Sequence, residues 1–272
     1  MNKHIYDYAF DPESECTGAY IVNFVGKDKN VLEIGAGPGS ITRVLNNNNN
    51  CKITAIDIVP DHIDRLMEYC DAVHLADLND VQWPKIIGTD EKFDVILAGD
   101  VLEHLIDPLT CLRNMVSLLN DDGSIVISIP HIGHAVIAAC LWDEDFEYRD
   151  WGLLDRTHLR FFGIKNIQQL VDNAGLKIVG LKFTMLHPEQ TELKEHWNKL
   201  NDNLKKELLA NRFSCVYQVV FKAKPLKAAE LAISLENAEL PKLNFKELSN
   251  VDENKNNSIN NNLMQKVIKW FK

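Results

Sequence analysis

Several things are missing from this 272-residue chain, and each absence removes a class of protein. No apolar run is long enough to span a bilayer, and the opening Met1-Asn2-Lys3-His4-Ile5-Tyr6-Asp7 lacks the apolar core of a secretory signal. A cytoplasmic catalytic body is therefore expected. The six cysteines (16, 51, 70, 111, 140 and 215) form no C-x-x-C pair and no zinc-ligand spacing, which predicts free thiols in a reducing compartment. Excess positive charge is also lacking. With 29 Lys and Arg against 39 Asp and Glu, the formal charge is −10, which excludes a general phosphate-backbone binder. No nucleic-acid partner is expected, whereas a small-molecule or glycan acceptor is compatible with this balance.

What is present is ordinary globular material: 46% hydrophobic and 25% charged residues, enough for one large domain with appendages. One stretch stands out, Val31-Leu32-Glu33-Ile34-Gly35-Ala36-Gly37-Pro38-Gly39-Ser40. An apolar strand runs into alternating glycines and then a helix start at Ser40-Ile41-Thr42, which lets backbone approach a ligand closely. The glycines at 35, 37 and 39 read G-x-G-x-G, and the dinucleotide fingerprint would need its third glycine at 40, where Ser40 stands. No Lys or Arg lies beside the glycines to neutralise a pyrophosphate.

Around this stretch strands and helices alternate. Strands are expected at 30–35, 52–58, 73–75, 93–98, 124–129, 176–183 and 213–223. Helices are expected at 14–25, 40–45, 60–70, 108–119 and 164–174, with an all-asparagine turn at 46–50 and an Asp122-Gly123 turn. The pattern predicts an α/β fold, a doubly wound and mostly parallel sheet with an antiparallel strand at one end. The excursion 188–211 reads as one helix with Leu193, Trp197, Leu200, Leu204 and Leu208 along a face. Such a stripe packs on the core or serves as a lid or dimer helix. The N-terminal arm, with Tyr6, Tyr8 and Phe10 alternating, either packs on the domain or forms a flap near the ligand.

In doubly wound sheets ligands sit at the carboxyl ends of the strands. Here those ends carry Glu33 with Gly35, Ala36, Gly37 and Gly39, then Asp57-Ile58, then Asp77-Leu78, then Asp100. A carboxylate at 57 suits two ribose hydroxyls, and Asp77 suits an adenine edge. Each acid alone could instead cap the following helix. Together the pieces Val31 to Gly39, Asp57, Ala76-Asp77-Leu78, Phe93-Asp94-Val95-Ile96 and Asp100-Val101-Leu102-Glu103-His104-Leu105 resemble class I S-adenosylmethionine-dependent methyltransferases. The resemblance implies a seven-stranded sheet with its last strand antiparallel. It also implies that the glycine loop and Asp57 hold the methionine part and ribose, with Asp77 at the adenine and Asp100 at the methionine end.

Candidate bases are His158, within Asp155-Arg156-Thr157-His158-Leu159-Arg160, and His131, within Pro130-His131-Ile132-Gly133-His134. His158 serves as acid–base residue or merely pins its segment by hydrogen bonds. His131 touches substrate or satisfies the loop backbone. The segment 150–162 resembles a subgroup associated with bacterial polysaccharide and glycosyl modification, and more distantly the quinone-biosynthesis O-methyltransferases. The resemblance implies O-methylation of a sugar or glycan hydroxyl, with a quinone, phenol or other small-metabolite acceptor as the alternative. A non-catalytic cofactor-binding scaffold is the reading from another class. Asp100, Glu103 and His104 also fit the acid-x-x-acid-His pattern that holds a divalent metal in the quinone enzymes. The same string occurs without metal, and no metal is the expectation.

After Pro225 composition shifts. Residues 226–238 can form an amphipathic helix, 226–262 reads as a helical and Asn-rich linker, and 263–272 reads as a basic amphipathic helix. That last helix predicts contact with a membrane surface or a membrane-bound assembly, or folding back onto the domain at 1–225.

Overall fold

The alternation of signals becomes seven strands and their crossing helices in the computed structural model, which describes residues 6–88, 90–229 and 231–242. In chain order these are α1 (Thr17–Val25), β1 (Asn30–Ile34), α2 (Ser40–Asn49), β2 (Lys52–Asp57), α3 (Pro60–Leu66), β3 (Ala72–Leu75), α4 (Pro84–Ile87) and β4 (Phe93–Gly99). They continue with α5 (Pro108–Ser117), β5 (Leu119–Pro130), α6 (Ala135–Trp142), α7 (Ile164–Asn173), β6 (Leu176–Met185), α8 (Lys194–Lys199), α9 (Asp202–Leu209) and β7 (Val216–Pro225). The sheet order is β3-β2-β1-β4-β5-β7-β6. β7 runs antiparallel to both neighbours, so the reversed strand lies one place inside the edge rather than at it. The chain leaves β1 toward β2 and β3, then returns to β4 on the other side of β1. That reversal opens a crevice at the strand ends.

Burial follows the two-residue period of the strands. Leu32 and Ile34 of β1 enter one core with Ile96, Leu112, Met115, Ile167 and Val171. Val31 enters the opposite core, with Ile21, Val22, Ile41, Leu45 and Val95. Glu33 shares the face of Val31, which is why its carboxylate meets α2 and not α5. A third core of Val136, Leu153, Leu154, Leu193, Trp197 and Tyr217 sits under segment 150–162.

Four expectations need correction. The asparagines at 46–49 continue α2, because Asn49 is buried and its side-chain amide donates to the carbonyls of Gly26 (2.7 Å) and Val22 (3.4 Å). Asn50, at φ 53°, ends the helix in the left-handed region. The excursion is not one helix but α8 and α9, broken at Leu200, with Asn201 capping α9 through a bond from the Leu204 N–H. Its Leu193, Trp197 and Leu200 are buried, as core packing requires. The helix expected at 226–238 is one short 3-10 turn, Leu235–Asn237. This segment is strapped onto the domain instead: Ile233 N–H donates to the Ile178 carbonyl (2.8 Å) and Leu235 N–H to Gln168 Oε1 (3.0 Å). Tertiary bonds thus displace the helical pattern. Fourth, α6 is absent from the helices expected above, because its continuous apolarity hides any helical stripe.

The expected Asp122-Gly123 turn is instead an irregularity within the continuous strand β5, where pairing to β4 jumps from Phe93↔Leu119 to Val95↔Ser124. The basic helix expected at 263–272, and with it any membrane contact, lies outside the described residues. Among the described residues no helix is long and apolar enough to cross a membrane.

Candidate active site

A cleft of about 1010 Å³ opens over the carboxyl ends of β1, β2, β4 and β5. Its cofactor side starts at the glycine loop. Gly35, Gly37 and Gly39 all take positive φ (62°, 57° and 90°). At Gly35 a Cβ would stand 2.7 Å from Val101 Cγ2, so both conformation and space demand glycine there. Gly37 has nothing within 4 Å of a Cβ position, and its backbone is open to the cleft. Gly39 caps α2 and packs toward Leu66 without lining the cleft.

Asp57, buried at the end of β2, bridges loop and sheet. Its Oδ2 accepts from Gly37 N–H (2.7 Å), and its Oδ1 accepts from Val59 N–H (2.8 Å) and meets His62 Nδ1 (3.0 Å). Oδ2 thus keeps acceptor capacity toward the cleft. Glu33 is buried with Thr42 Oγ1 donating to it at 2.8 Å, and burial raises its carboxyl to about 8. Asp77 is exposed and accepts from Asn79 N–H within a local turn; it caps no helix, α4 beginning only at Pro84, and it lines the cleft together with Ile58 and Leu78.

Asp100 is the strained member, a non-glycine residue at φ 54°. Its carboxylate accepts from Ser128 Oγ at 2.6 Å and from Gln218 Nε2 at 2.8 Å. Thr17 donates in turn to Gln218, so α1, β5 and β7 all fix one side chain. Sequence reading missed Gln218, because a lone glutamine inside an apolar strand gives no local signal of its partner 118 residues away.

The far side of the cleft is assembled from distant segments. The short 3-10 turn Leu102–His104 delivers Glu103 and His104, and the segment after α6 folds over them. Leu159 N–H and Arg160 N–H both donate to the Glu103 main-chain carbonyl, at 2.8 and 2.9 Å, which docks His158 alongside. The His104 and His158 rings meet edge to face, 4.8 Å between centroids. His158 Nε2 lies 4.0 Å from Glu103 Oε1. Glu103 is 1% exposed, and neither of its carboxylate oxygens has a hydrogen-bond partner among the described residues. Burial, with the Asp100 carboxylate nearby, pushes Glu103 well above the usual carboxyl range. Burial, reinforced by the His104 imidazole, lowers His158 to about 4. The flanking Arg156 and Arg160 turn away, to Asp150 and to the Ile106 carbonyl.

The N-terminal arm closes the site as a flap. Tyr6 donates to Asp155 at 2.7 Å, its carbonyl accepts from Ser40 Oγ, and Asp7 pairs with Arg43 and Arg65. His131 stands elsewhere: it is buried, its Nδ1 bonds the Val216 carbonyl at 3.1 Å, and it does not line the cleft. Of its two readings, backbone satisfaction is the one its position serves. Seven carboxylates line the cleft (Glu15, Glu33, Asp57, Asp77, Asp100, Glu103 and Asp155), against no arginine and the single Lys242 among the described residues.

A switch-point crevice with a glycine cradle, a strand-end carboxylate gripping that cradle and, among the described residues, no cation beside the glycines for a pyrophosphate defines an α/β protein built for a nucleoside cofactor. Residues 17–181, more than half of the chain, match the family described as a methyltransferase domain, and the chain belongs to that family, with S-adenosylmethionine as its methyl donor. It is 21% identical over 167 residues to the ubiquinone biosynthesis O-methyltransferase of Coxiella burnetii (strain Dugway 5J108-111), covering 61% of this chain and 71% of that one. It is 25% identical over 183 residues to the sarcosine/dimethylglycine N-methyltransferase of Halorhodospira halochloris, covering 66% of this chain and 61% of that one. Among solved structures, a Bacillus halodurans C-125 protein assigned as a methyltransferase superposes with a TM-score of 0.51 at 14% identity, covering 76% and 95% of the two chains. The [4+2]-cyclase SpnF superposes equally, with a TM-score of 0.51 at 14% identity, covering 81% and 87%. These two superpositions speak to fold alone.

Proposed function

We propose that this methyltransferase acts on a hydroxyl oxygen of an uncharged acceptor held between Asp100 and the Glu103–His104–His158 cluster. The observation that carries the reading is that cluster: one buried carboxylate and two imidazoles converging where the cleft passes from the cofactor loop to segment 150–162. S-adenosylmethionine supplies a methyl group on a sulfonium whose positive charge disappears on transfer. The chain's own work is alignment and proton removal. Gly37, Asp57 and Asp100 orient the donor, the flap of Tyr6, Tyr8 and Phe10 excludes water, and the cluster takes the hydroxyl proton. His158 is the candidate acid–base residue on geometry, its ring meeting His104 and Glu103 where the cleft is lined, and burial holds its imidazole in the neutral form at neutral pH.

The lining argues for acceptor class. With aromatic walls from Tyr6, Tyr8, Phe10, Trp151, Phe183 and Tyr217 and no arginine, the cleft suits a ring without phosphate at the reacting end. A phenolic ring or an uncharged sugar of a glycan meets this description; a sugar nucleotide bound by its phosphates does not. The similarity to a ubiquinone biosynthesis O-methyltransferase favours the phenolic ring.

The test is transfer of radiolabelled methyl from S-adenosylmethionine to matched acceptors: a catechol, a neutral oligosaccharide, and their phosphorylated and amino counterparts. Label in the neutral hydroxyl acceptors supports the proposal. Transfer only to amines overturns the O-methylation reading, and cofactor binding without transfer to any acceptor favours a scaffold.

A further inference from the structure

The acid-x-x-acid-His set of Asp100, Glu103 and His104 does not converge on a common point. Asp100 spends both carboxylate oxygens on Ser128 and Gln218. His158, 54 positions beyond His104, takes its place: one ligand atom each from Glu103, His104 and His158 lie within 4.8 Å of one another. We propose that these three residues form a binding site for a divalent transition-metal cation of the zinc class, with two nitrogen donors and one oxygen donor.

Glu103 is the first ground. A carboxyl group 1% exposed, with neither oxygen hydrogen-bonded among the described residues, is costly; protonation removes its charge but leaves its oxygens unpaired, whereas a bound cation satisfies them. The second is how the histidines are held. His104 Nδ1 lies 3.2 Å from the Thr157 carbonyl and 3.0 Å from Thr157 Oγ1. The Thr157 hydroxyl itself donates to Asp155 Oδ1 at 2.6 Å, so His104 Nδ1–H is the donor toward Thr157 and its Nε2 keeps a free lone pair. An imidazole whose far nitrogen bonds backbone is the ordinary outer arrangement of a metal-ligating histidine. His158 presents Nε2 at 4.0 Å from Glu103 Oε1, a separation that closes to coordination with a small inward movement of the side chains. The third ground is donor chemistry. Two imidazoles and a carboxylate select zinc-class ions, whereas magnesium prefers an all-oxygen shell. Exchanging Asp100 for His158 therefore changes which metal fits. The three residues leave a position open toward the cleft, where the proposed acceptor would lie; a cation bound there would occupy the His158 lone pair, so the metal-loaded and metal-free sites would differ in which group takes the hydroxyl proton.

This inference rests on the same site as the proposed function but is read without turnover. The full-length chain, loaded with S-adenosylhomocysteine, is titrated with zinc chloride and separately with magnesium chloride by calorimetry. The expected result is one zinc per chain, with magnesium weaker by about 100-fold or more. Glu103→Gln and His158→Ala each weaken zinc by about 100-fold, His104→Ala does the same should either fail to fold, and Asp100→Asn leaves zinc within about 3-fold. S-adenosylhomocysteine affinity certifies the fold of the Glu103, His104 and His158 variants, and circular dichroism with thermal unfolding certifies that of Asp100→Asn. Absence of one-to-one binding overturns the proposal. So does zinc binding that survives both Glu103→Gln and His158→Ala, or that vanishes in Asp100→Asn while surviving in His158→Ala. Loss of methyl transfer with zinc binding intact would instead count against the proposed function alone.

Discussion

The two halves of the cleft differ in how they are built and in how far they are satisfied. The cofactor half stands on consecutive strand ends, each functional residue within a few positions of its strand, and its acids are hydrogen-bonded: Glu33 to Thr42, Asp57 to Gly37 and Val59, Asp100 to Ser128 and Gln218. The acceptor half is stitched from the 3-10 turn at Leu102–His104, segment 150–162 and the N-terminal arm, and it holds the unpartnered Glu103. A satisfied, rigid half suits a constant ligand. A half with spare bonding capacity suits chemistry that arrives with the second substrate.

That contrast can be broken at several points. The largest effect is expected from His158→Ala, which should lower methyl transfer by about 10²- to 10⁴-fold while leaving S-adenosylhomocysteine affinity unchanged. Steady-state kinetics beside calorimetry separates the two, and equal loss in both would place His158 in the cofactor half. Gln218→Leu should do the reverse. It removes one bond to the Asp100 carboxylate, worth about 1.5 kcal/mol, and so weakens S-adenosylhomocysteine about 10-fold. An effect confined to turnover would move Asp100 to the acceptor side.

The smallest effect sharpens the standing of His131 and His134. Burial lowers both to about 4, His134 also being held by the Leu186 carbonyl. A histidine depressed in the folded state is stabilising above its unfolded value of about 6.5 and loses that contribution as pH falls toward 4, up to about 3 kcal/mol each. Denaturant midpoints should therefore drop between pH 6.5 and 4. His131→Asn, which keeps a donor for the Val216 carbonyl but does not titrate, should flatten the slope. An unchanged slope would remove His131 from the acid-sensitive core.

The same division governs what could be read from sequence. The glycine loop, Asp57, Asp77 and Asp100 were legible because strand, turn and acid adjoin in the chain, and their order along it is their order in space. Glu103 and His104 were legible as a motif, but not their partner. His158 was visible as a candidate, yet its contact with Glu103 depends on a loop docking across 55 positions. Gln218, Tyr6 with Asp155, and His62 beside Asp57 gave no periodic signal at all. The asparagine run misled for a related reason: composition favoured a turn, and one buried side chain bonding two distant carbonyls made a helix. Local chemistry writes local structure; pairings across the sheet leave no mark on the intervening residues.

We propose that this cleft holds S-adenosylmethionine through the glycine loop and Asp57, independently of the Glu103–His104–His158 cluster. Calorimetric titration of S-adenosylhomocysteine into the wild-type chain, Asp57→Ala and His158→Ala tests it directly. The expected result is one-to-one binding by wild type, unchanged affinity in His158→Ala, and a loss of about 100-fold in Asp57→Ala, the cost of a buried carboxylate's hydrogen bonds. Wild-type affinity in Asp57→Ala, or no binding by the wild-type chain, would contradict it.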